Sequence, residues 1–394
     1  MTYRPGRNFL HSPGPSNVPE RVLRAMNRAT IDLVEPELLD KTVSSVADLK
    51  VLFDNEDGEI FLYIANGHGA WEAGIVNLFS AGETVLIPGS GHFSVTWAKM
   101  TGSFGINTVT TETNWRGAID VAQVEEILSH DKAGEIKAVM AVHTDTATSA
   151  TSDVKAMREA LDRVGHPALL IVDAVASFAA TPLPMKAWGV DLVITGSQKA
   201  LMMMPGMSFN AAGPKALAAM KKATLPRNYW DWEPRMEQAY YRWFCGTSPV
   251  QQIFGLREAL DMIKEEGIEK VFARHRRLAK ATHAAVDVWA EAGALQLNVT
   301  DPAERSTSVT TVLMDDQFDS TQFRTALREN LNVSIAGGLG ELQNKAFRIG
   351  HLGDLNEPMI LGALATVELG LQMMQIPHGK GGAEAAIAAL AEAA

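Results

Sequence analysis

Between about residues 60 and 213 the chain repeats one pattern, a short apolar run followed by a segment of helix length. The runs cover 60–65, 84–87, 138–142, 168–172, 192–195 and 207–212. Most are continuously apolar rather than alternating, as strands buried on both faces of a parallel sheet are. The stretches between them, including 69–79, 121–128 and 153–164, read as helices. This βαβα succession predicts an α/β fold, a mostly parallel central sheet with helices on both faces. Active sites in such sheets lie at the carboxyl ends of the strands. Asn66, Asp145, Asp173 and Lys199 all fall just past such ends.

The pattern changes near Glu265-Glu266-Gly267. A long amphipathic helix is predicted over 269–292, a strand over 308–314 and a helix over 320–331. The turn Gly337-Gly338-Leu339-Gly340, a strand carrying Arg348 and a helix over 357–374 complete a smaller α+β domain. The expected division is an arm at 1–20, a large domain at 21–265 and a small domain at 266–394. The Ala-rich stretch after Gly379-Lys380-Gly381-Gly382 has helix propensity but little to bury. It is expected to be a surface helix or a frayed end.

Composition narrows the function. The net charge of −11 and the absence of a basic stripe argue against nucleic acid. No apolar run reaches the ~20 residues of a membrane span, and Met1-Thr2-Tyr3-Arg4-Pro5-Gly6-Arg7 is not followed by an apolar signal core. Cys245 is the only cysteine, which rules out an intrachain disulfide and fits a cytoplasmic protein. The ten histidines show no metal-binding spacing, so no metal is expected.

Two residues carry the most chemistry. Lys199 ends the run Val193-Ile194-Thr195-Gly196-Ser197-Gln198-Lys199, and Asp173 ends another run twenty-six residues upstream. A lysine and an acid at neighbouring strand tips suit a pyridoxal phosphate enzyme, in which the lysine forms the Schiff base and the acid pairs with the pyridinium nitrogen. Each also has an ordinary reading, a surface lysine and a helix cap. Asn66-Gly67-His68-Gly69-Ala70-Trp71-Glu72 follows a strand and opens a helix, whose amino terminus can hold an anion. Gly89-Ser90-Gly91 fails as a dinucleotide fingerprint because Ser94 occupies the third glycine position. Phe93 beside it can stack on a flat ring or fill the core. His143-Thr144-Asp145-Thr146-Ala147-Thr148-Ser149 is a hydroxyl-rich loop, with Ser152 or Asp153 placed to cap the next helix. Arg348, flanked by apolar residues, should be partly buried and needs an anionic partner, either a substrate carboxylate or a structural acid. Met202-Met203-Met204 and the aromatic stretch 229–244 fit core packing or an interface.

Together these motifs resemble the class V, fold-type I aminotransferases, in particular the serine/alanine–glyoxylate group. The resemblance runs from Pro13-Gly14-Pro15-Ser16-Asn17 to Phe347-Arg348-Ile349-Gly350-His351-Leu352-Gly353. It implies pyridoxal 5'-phosphate as cofactor, a small amino acid and a 2-oxo acid as substrates, and ping-pong kinetics. Lys199 would hold the cofactor and shuttle the proton, while Asp173 would keep the ring nitrogen protonated. Phe93 would stack on the ring, and Thr146 would lie near its phenolic oxygen. Asn66, Gly67, His68 and Gln198 would contact the phosphate. Thr247 would reach the phosphate from the other copy of a homodimer with shared sites, and Arg348 would bind the α-carboxylate.

Three stretches depart from that group. Leu33-Val34-Glu35-Pro36 stands where a histidine and an arginine are common, Asp145 where a glutamate is, and Gly246-Thr247-Ser248-Pro249 where Tyr-Thr-Pro-Pro is. The donor pocket is thus expected to have lost a cationic group. A pyridoxamine–pyruvate transaminase is the alternative suggested by Asp145-Thr146. A lyase or a desulfurase is another, the latter with Cys245 as its only candidate thiol.

Overall fold

The computed structural model describes residues 5–237 and 239–392. In chain order, the first half comprises β1 (Phe9–His11), α1 (Glu20–Met26), α2 (Pro36–Phe53), β2 (Glu59–Tyr63), α3 (Gly67–Leu78), β3 (Thr84–Ile87), α4 (His92–Ser103), β4 (Asn107–Thr110), α5 (Val121–His130), β5 (Ile136–Val142), β6 (Thr144–Asp145), β7 (Ala150–Thr151), α6 (Val154–Val164), β8 (Leu169–Asp173), β9 (Leu192–Gly196) and β10 (Ser208–Ala212). There follow α7 (Pro214–Met220), α8 (Val250–Glu266), α9 (Ile268–Ala290), β11 (Leu295–Leu297), β12 (Val309–Met314), α10 (Ser320–Leu331), β13 (Val333–Gly337), β14 (Ala346–Gly350), α11 (Glu357–Met373) and α12 (Gly382–Glu392).

Seven strands form the large sheet in the order β2-β10-β9-β8-β5-β3-β4, and only β10 runs against its neighbours. The continuous apolar runs have a direct cause. Leu170 and Val172 of β8 point into one core with Phe53, Met157 and Leu260. Leu169 and Ile171 point into the opposite core with Trp71 and Trp97. Each such side chain contributes roughly 1.5–3 kcal/mol of burial. Strand order then makes neighbours of the chemistry. Asp173 is in register with Val142 of β5 on one side and Ile194 of β9 on the other. The loops after β5 and β9 therefore flank Asp173.

A five-stranded sheet, ordered β1-β13-β14-β12-β11, carries Arg348 on β14. β1 joins it parallel to β13, so the amino-terminal segment is tied to the far end of the chain. From there it crosses to the large sheet, where Ser16 Oγ donates to the Lys199 carbonyl at 2.7 Å.

The Ala-rich end forms a surface helix, one of the two expected outcomes, but it buries more than its composition suggested. α12 packs along α9 with Ala386, Ala389 and Leu390 buried, so it has a docked face. Its amino terminus is held by Glu368, whose carboxylate accepts the Gly381 and Ala383 N–H groups at 2.8 and 3.0 Å and the Trp289 indole N–H at 3.2 Å. Burial opposes ionisation of Glu368, but these donors outweigh it and hold the carboxyl below its usual range. Alanines spaced along one helix face are small enough for close packing, and their burial is not visible in the local sequence.

Candidate active site

A cavity of about 190 Å³ opens at the carboxyl ends of the large sheet. It is lined by Asn66, Gly67, His68, Trp71, Phe93, Thr144, Thr146, Asp173, Val175, Ala176, Gln198 and Lys199. Eight of the residues singled out from sequence thus meet there. Arg348 lies alongside, its Nη1 donating to the Thr146 carbonyl at 2.9 Å and to Thr146 Oγ1 at 3.3 Å. Thr247 is exposed and lies outside the cavity of its own chain. A larger groove of about 480 Å³ runs along Leu52, Pro182, Leu260 and Phe272, but among its lining residues are no nucleophile and no buried acid.

Local chemistry sets each group. Asn66 is the N-cap of α3 and its Oδ1 accepts from His68 N at 3.1 Å, and Asn66, Gly67 and His68 all line the cavity, so the helix begins at the cavity wall. A Cβ on Gly67 would come within 2.9 Å of Val175 Cγ2, so any larger residue would have to displace that side chain in the cavity wall. Lys199 Nζ donates to the carbonyl of Pro13. Burial and the nearby Arg348 push its pKa down to about 8, with Asp173 opposing.

Asp173 is pushed up to about 7, first by burial and further by Asp145. Val175 N donates to its Oδ1 at 2.7 Å, and the Trp71 indole N–H donates to its Oδ2 at 3.1 Å. Asp145 is buried as well. Its Oδ2 accepts from Phe93 N at 2.8 Å and from Ser90 Oγ at 3.2 Å, and its Oδ1 accepts from Ala147 N at 2.9 Å. It therefore ties the loop after β5 to the start of α4, which carries Phe93. Burial raises its pKa despite these donors.

Arg348 has become a buried cation on carbonyls. Besides Thr146, its Nε donates to the Gly337 carbonyl at 2.6 Å. Among the described residues no carboxylate forms an ion pair with it, and burial draws its pKa down to about 10. Asp145 lies near enough to favour its charge but makes no direct contact with it, so a structural ion pair is not what holds this arginine.

Trp71 and Thr144 stood inside motifs singled out from sequence but, like Val175 and Ala176, were given no role of their own. Trp71 could have been suspected, since it lies three residues after His68 on one helix face. The other aromatics divide. Trp232 is fully buried and stacks on Phe61, whereas Tyr229, Tyr240 and Tyr241 are exposed. Met202 and Met203 are core residues and Met204 is exposed. Asp153, rather than Ser152, caps α6. Among the described residues no group of three or more His, Cys, Asp or Glu could hold a metal ion, and no helix is long and apolar enough to cross a membrane.

The donor set fits one cofactor. Gln198 lines the cavity, and the amino group of its side-chain amide is a hydrogen-bond donor of the kind an anion needs. An anion-binding helix terminus, an aromatic wall, a buried acid and a lysine of lowered basicity surround the same space. On a seven-stranded, mostly parallel sheet, this set defines a pyridoxal phosphate enzyme of fold type I. More narrowly, the chain belongs to the class-V aminotransferase family, whose model matches residues 39–342. The family is pyridoxal phosphate-dependent, and the chain is a transaminase of that class. The chain is 40% identical to a serine–glyoxylate aminotransferase of Methylorubrum extorquens, over 94% of this chain and 92% of that one. It is 37% identical to an L-aspartate–glyoxylate aminotransferase of Paracoccus denitrificans, over 96% and 95%. It also resembles the crystal structure of pyridoxamine–pyruvate aminotransferase from Mesorhizobium loti, with a TM-score of 0.90, 27% identity and full coverage of both chains.

Proposed function

We propose that the cavity moves an amino group from a small α-amino acid to a small 2-oxo acid, with glyoxylate as the leading acceptor. The observation that carries this reading is Arg348, a buried cation with no direct ion pair among the described residues, beside a lysine of lowered basicity. An α-carboxylate supplies the missing anion and can be held bidentately. Glyoxylate is suggested by the relatives, which act on it by name.

When bound, pyridoxal phosphate supplies a ring that takes up the charge left as the substrate Cα loses its proton. The residues then divide the work. The start of α3, from Asn66 to His68, and Gln198 hold the phosphate. Phe93 packs on the ring face, and Thr146 lies near its oxygen. Asp173 holds a proton on the ring nitrogen. Lys199, about half in the free-amine form near pH 8, accepts the Cα proton at Nζ and returns it on the other side of the exchange. Pro13 and Arg348 keep that nitrogen in place and the substrate carboxylate fixed.

We also propose a cytoplasmic homodimer in which the partner subunit's Thr247 completes the phosphate site. Thr247 is exposed on the single chain, as are Val34, Met236, Tyr240 and Tyr241. With Leu33 and Val34 in place of cationic residues, the donor pocket should prefer neutral donors to aspartate.

The test is a donor-by-acceptor panel followed through the visible absorption of the bound cofactor. Serine and alanine should bleach the band faster than aspartate, and glyoxylate or pyruvate should restore it. Turnover with pyridoxamine and pyruvate but with no amino acid donor would favour the alternative transaminase.

A further inference from the structure

We propose that Trp71 is a positioning residue that holds Asp173 ionised and aimed at the cofactor's ring nitrogen. This rests on the cofactor reading above. Trp71 lies in the second turn of α3, the helix whose first turn faces the phosphate, and it is buried. Its Nε1 donates to Asp173 Oδ2 at 3.1 Å while Val175 N donates to Oδ1 at 2.7 Å. An indole N–H can only donate. It therefore requires an acceptor at Oδ2 and opposes a proton there. One donor on each oxygen restrains the carboxylate plane, and the residue lines the cavity. The same indole stacks on Trp97, with centroids 5.2 Å apart, and meets Phe93 edge-on at 6.3 Å. One side chain thus links the acid under the ring nitrogen to the aromatic proposed to cover the ring.

The charges around Asp173 set the sign of the test. Asp145, on the loop after β5, and burial both raise its pKa to about 7; Lys199, after β9, lowers it. Arg348 on β14 acts on Lys199, and His68 packs on Trp71 from the same helix. Removing the indole donor should raise Asp173 further, so less of it is ionised near neutrality. Cofactor affinity should then fall most at low pH and recover as pH rises past the new pKa. A loss of packing alone would be independent of pH.

The experiment titrates cofactor-free full-length protein with pyridoxal phosphate across about pH 6 to 9 and compares wild type, Trp71→Phe, Trp97→Phe, Asp173→Asn and the Trp71→Phe/Asp173→Asn double variant. Trp71→Phe should weaken binding roughly tenfold near pH 6.5, the effect of one hydrogen bond to a charged group, and the deficit should close toward pH 9. Trp97→Phe, which alters the stack but not the donor, should show no pH-dependent deficit. In the Asp173→Asn background Trp71→Phe should add little. A deficit that is constant with pH, or one that persists in the double variant, overturns the proposal. If wild type itself fails to bind the cofactor, the cofactor reading fails instead. If Trp71→Phe does not fold, Trp71→Leu, which also lacks the donor, takes its place in the same cycle.

Discussion

Asp173→Asn should make the cofactor-free protein more stable while it damages the enzyme. The folded protein pushes this carboxyl to about 7 from the ordinary aspartate value of 3.8. Because the folded pKa is the higher one, the unfolded chain ionises first. Stability is therefore fully present below about 4, falls as pH rises and has lost roughly 4 kcal/mol once pH exceeds about 7. Asparagine carries no charge to bury and avoids that loss. It cannot, however, accept from both Val175 N and Trp71 Nε1, and a donor left without an acceptor costs about 1–3 kcal/mol. Lys199 also loses an opposing charge, which trims the gain. The net expectation near pH 8.5 is a variant about 1–3 kcal/mol more stable, an advantage that shrinks by roughly 2–3 kcal/mol by pH 5. Equilibrium urea unfolding of cofactor-free protein at several pH values measures both quantities. In the same variant transamination should fall at least tenfold, because the ring nitrogen loses a charged hydrogen-bond partner. A stability difference that stays flat from pH 5 to 8.5 would refute the argument that burial raises Asp173.

Lys199→Ala should abolish turnover while leaving some binding of the phosphate; transamination at the wild-type rate would overturn the assignment of the proton shuttle. Arg348→Ala should raise KM for carboxylated donors by about tenfold or more, as expected for a lost bidentate contact to a charged group. An unchanged KM would place the carboxylate elsewhere. If the partner subunit's Thr247 completes each site, Thr247→Ala should weaken cofactor binding. Mixed dimers of Thr247→Ala and Lys199→Ala chains should then have one fully intact site, with Lys199 and Thr247 both wild type, where neither parent has any. Activity in the mixture no higher than in the parents would argue for self-contained sites.

The large sheet was legible because its strands are buried on both faces, which writes an unbroken apolar run into each. β4 was not, because Asn107-Thr108-Val109-Thr110 lies at the sheet edge and is half solvated. α2 carries a readable period in Leu38, Thr42, Val46, Leu49 and Phe53, but it precedes the first strand and was outside the alternation that organised the reading. For the site, Lys199 and Asp173 could be seen because strand tips mark themselves locally. The contact between Trp71 and Asp173 spans 102 residues and has no local signature. The same holds for the Pro13 carbonyl bonded to Lys199, which lies 186 residues upstream. The burial of Arg348 was foreseeable from its apolar neighbours. Its partners were not, since backbone carbonyls at Thr146 and Gly337 leave no trace in side-chain chemistry.

These contacts give the site an electrostatic logic that no single residue shows. Asp145, Asp173, Lys199 and Arg348, two acids and two bases, are all buried in or beside the cavity and feel one another's charge, yet none of them is in an ion pair among the described residues. Each is instead held by neutral backbone, hydroxyl or indole groups. Burial consequently moves all four pKa values toward the neutral forms, Asp145 and Asp173 upward, Lys199 and Arg348 downward. Had Asp173 and Lys199 paired with each other, both would be locked in the charged state and Nζ could not accept a proton near neutral pH. Keeping them apart costs stability in the empty protein. On the proposed reading, that cost is offset when ring nitrogen, phosphate and substrate carboxylate bring the missing counter-charges, so that charge balance is reached only in the loaded site.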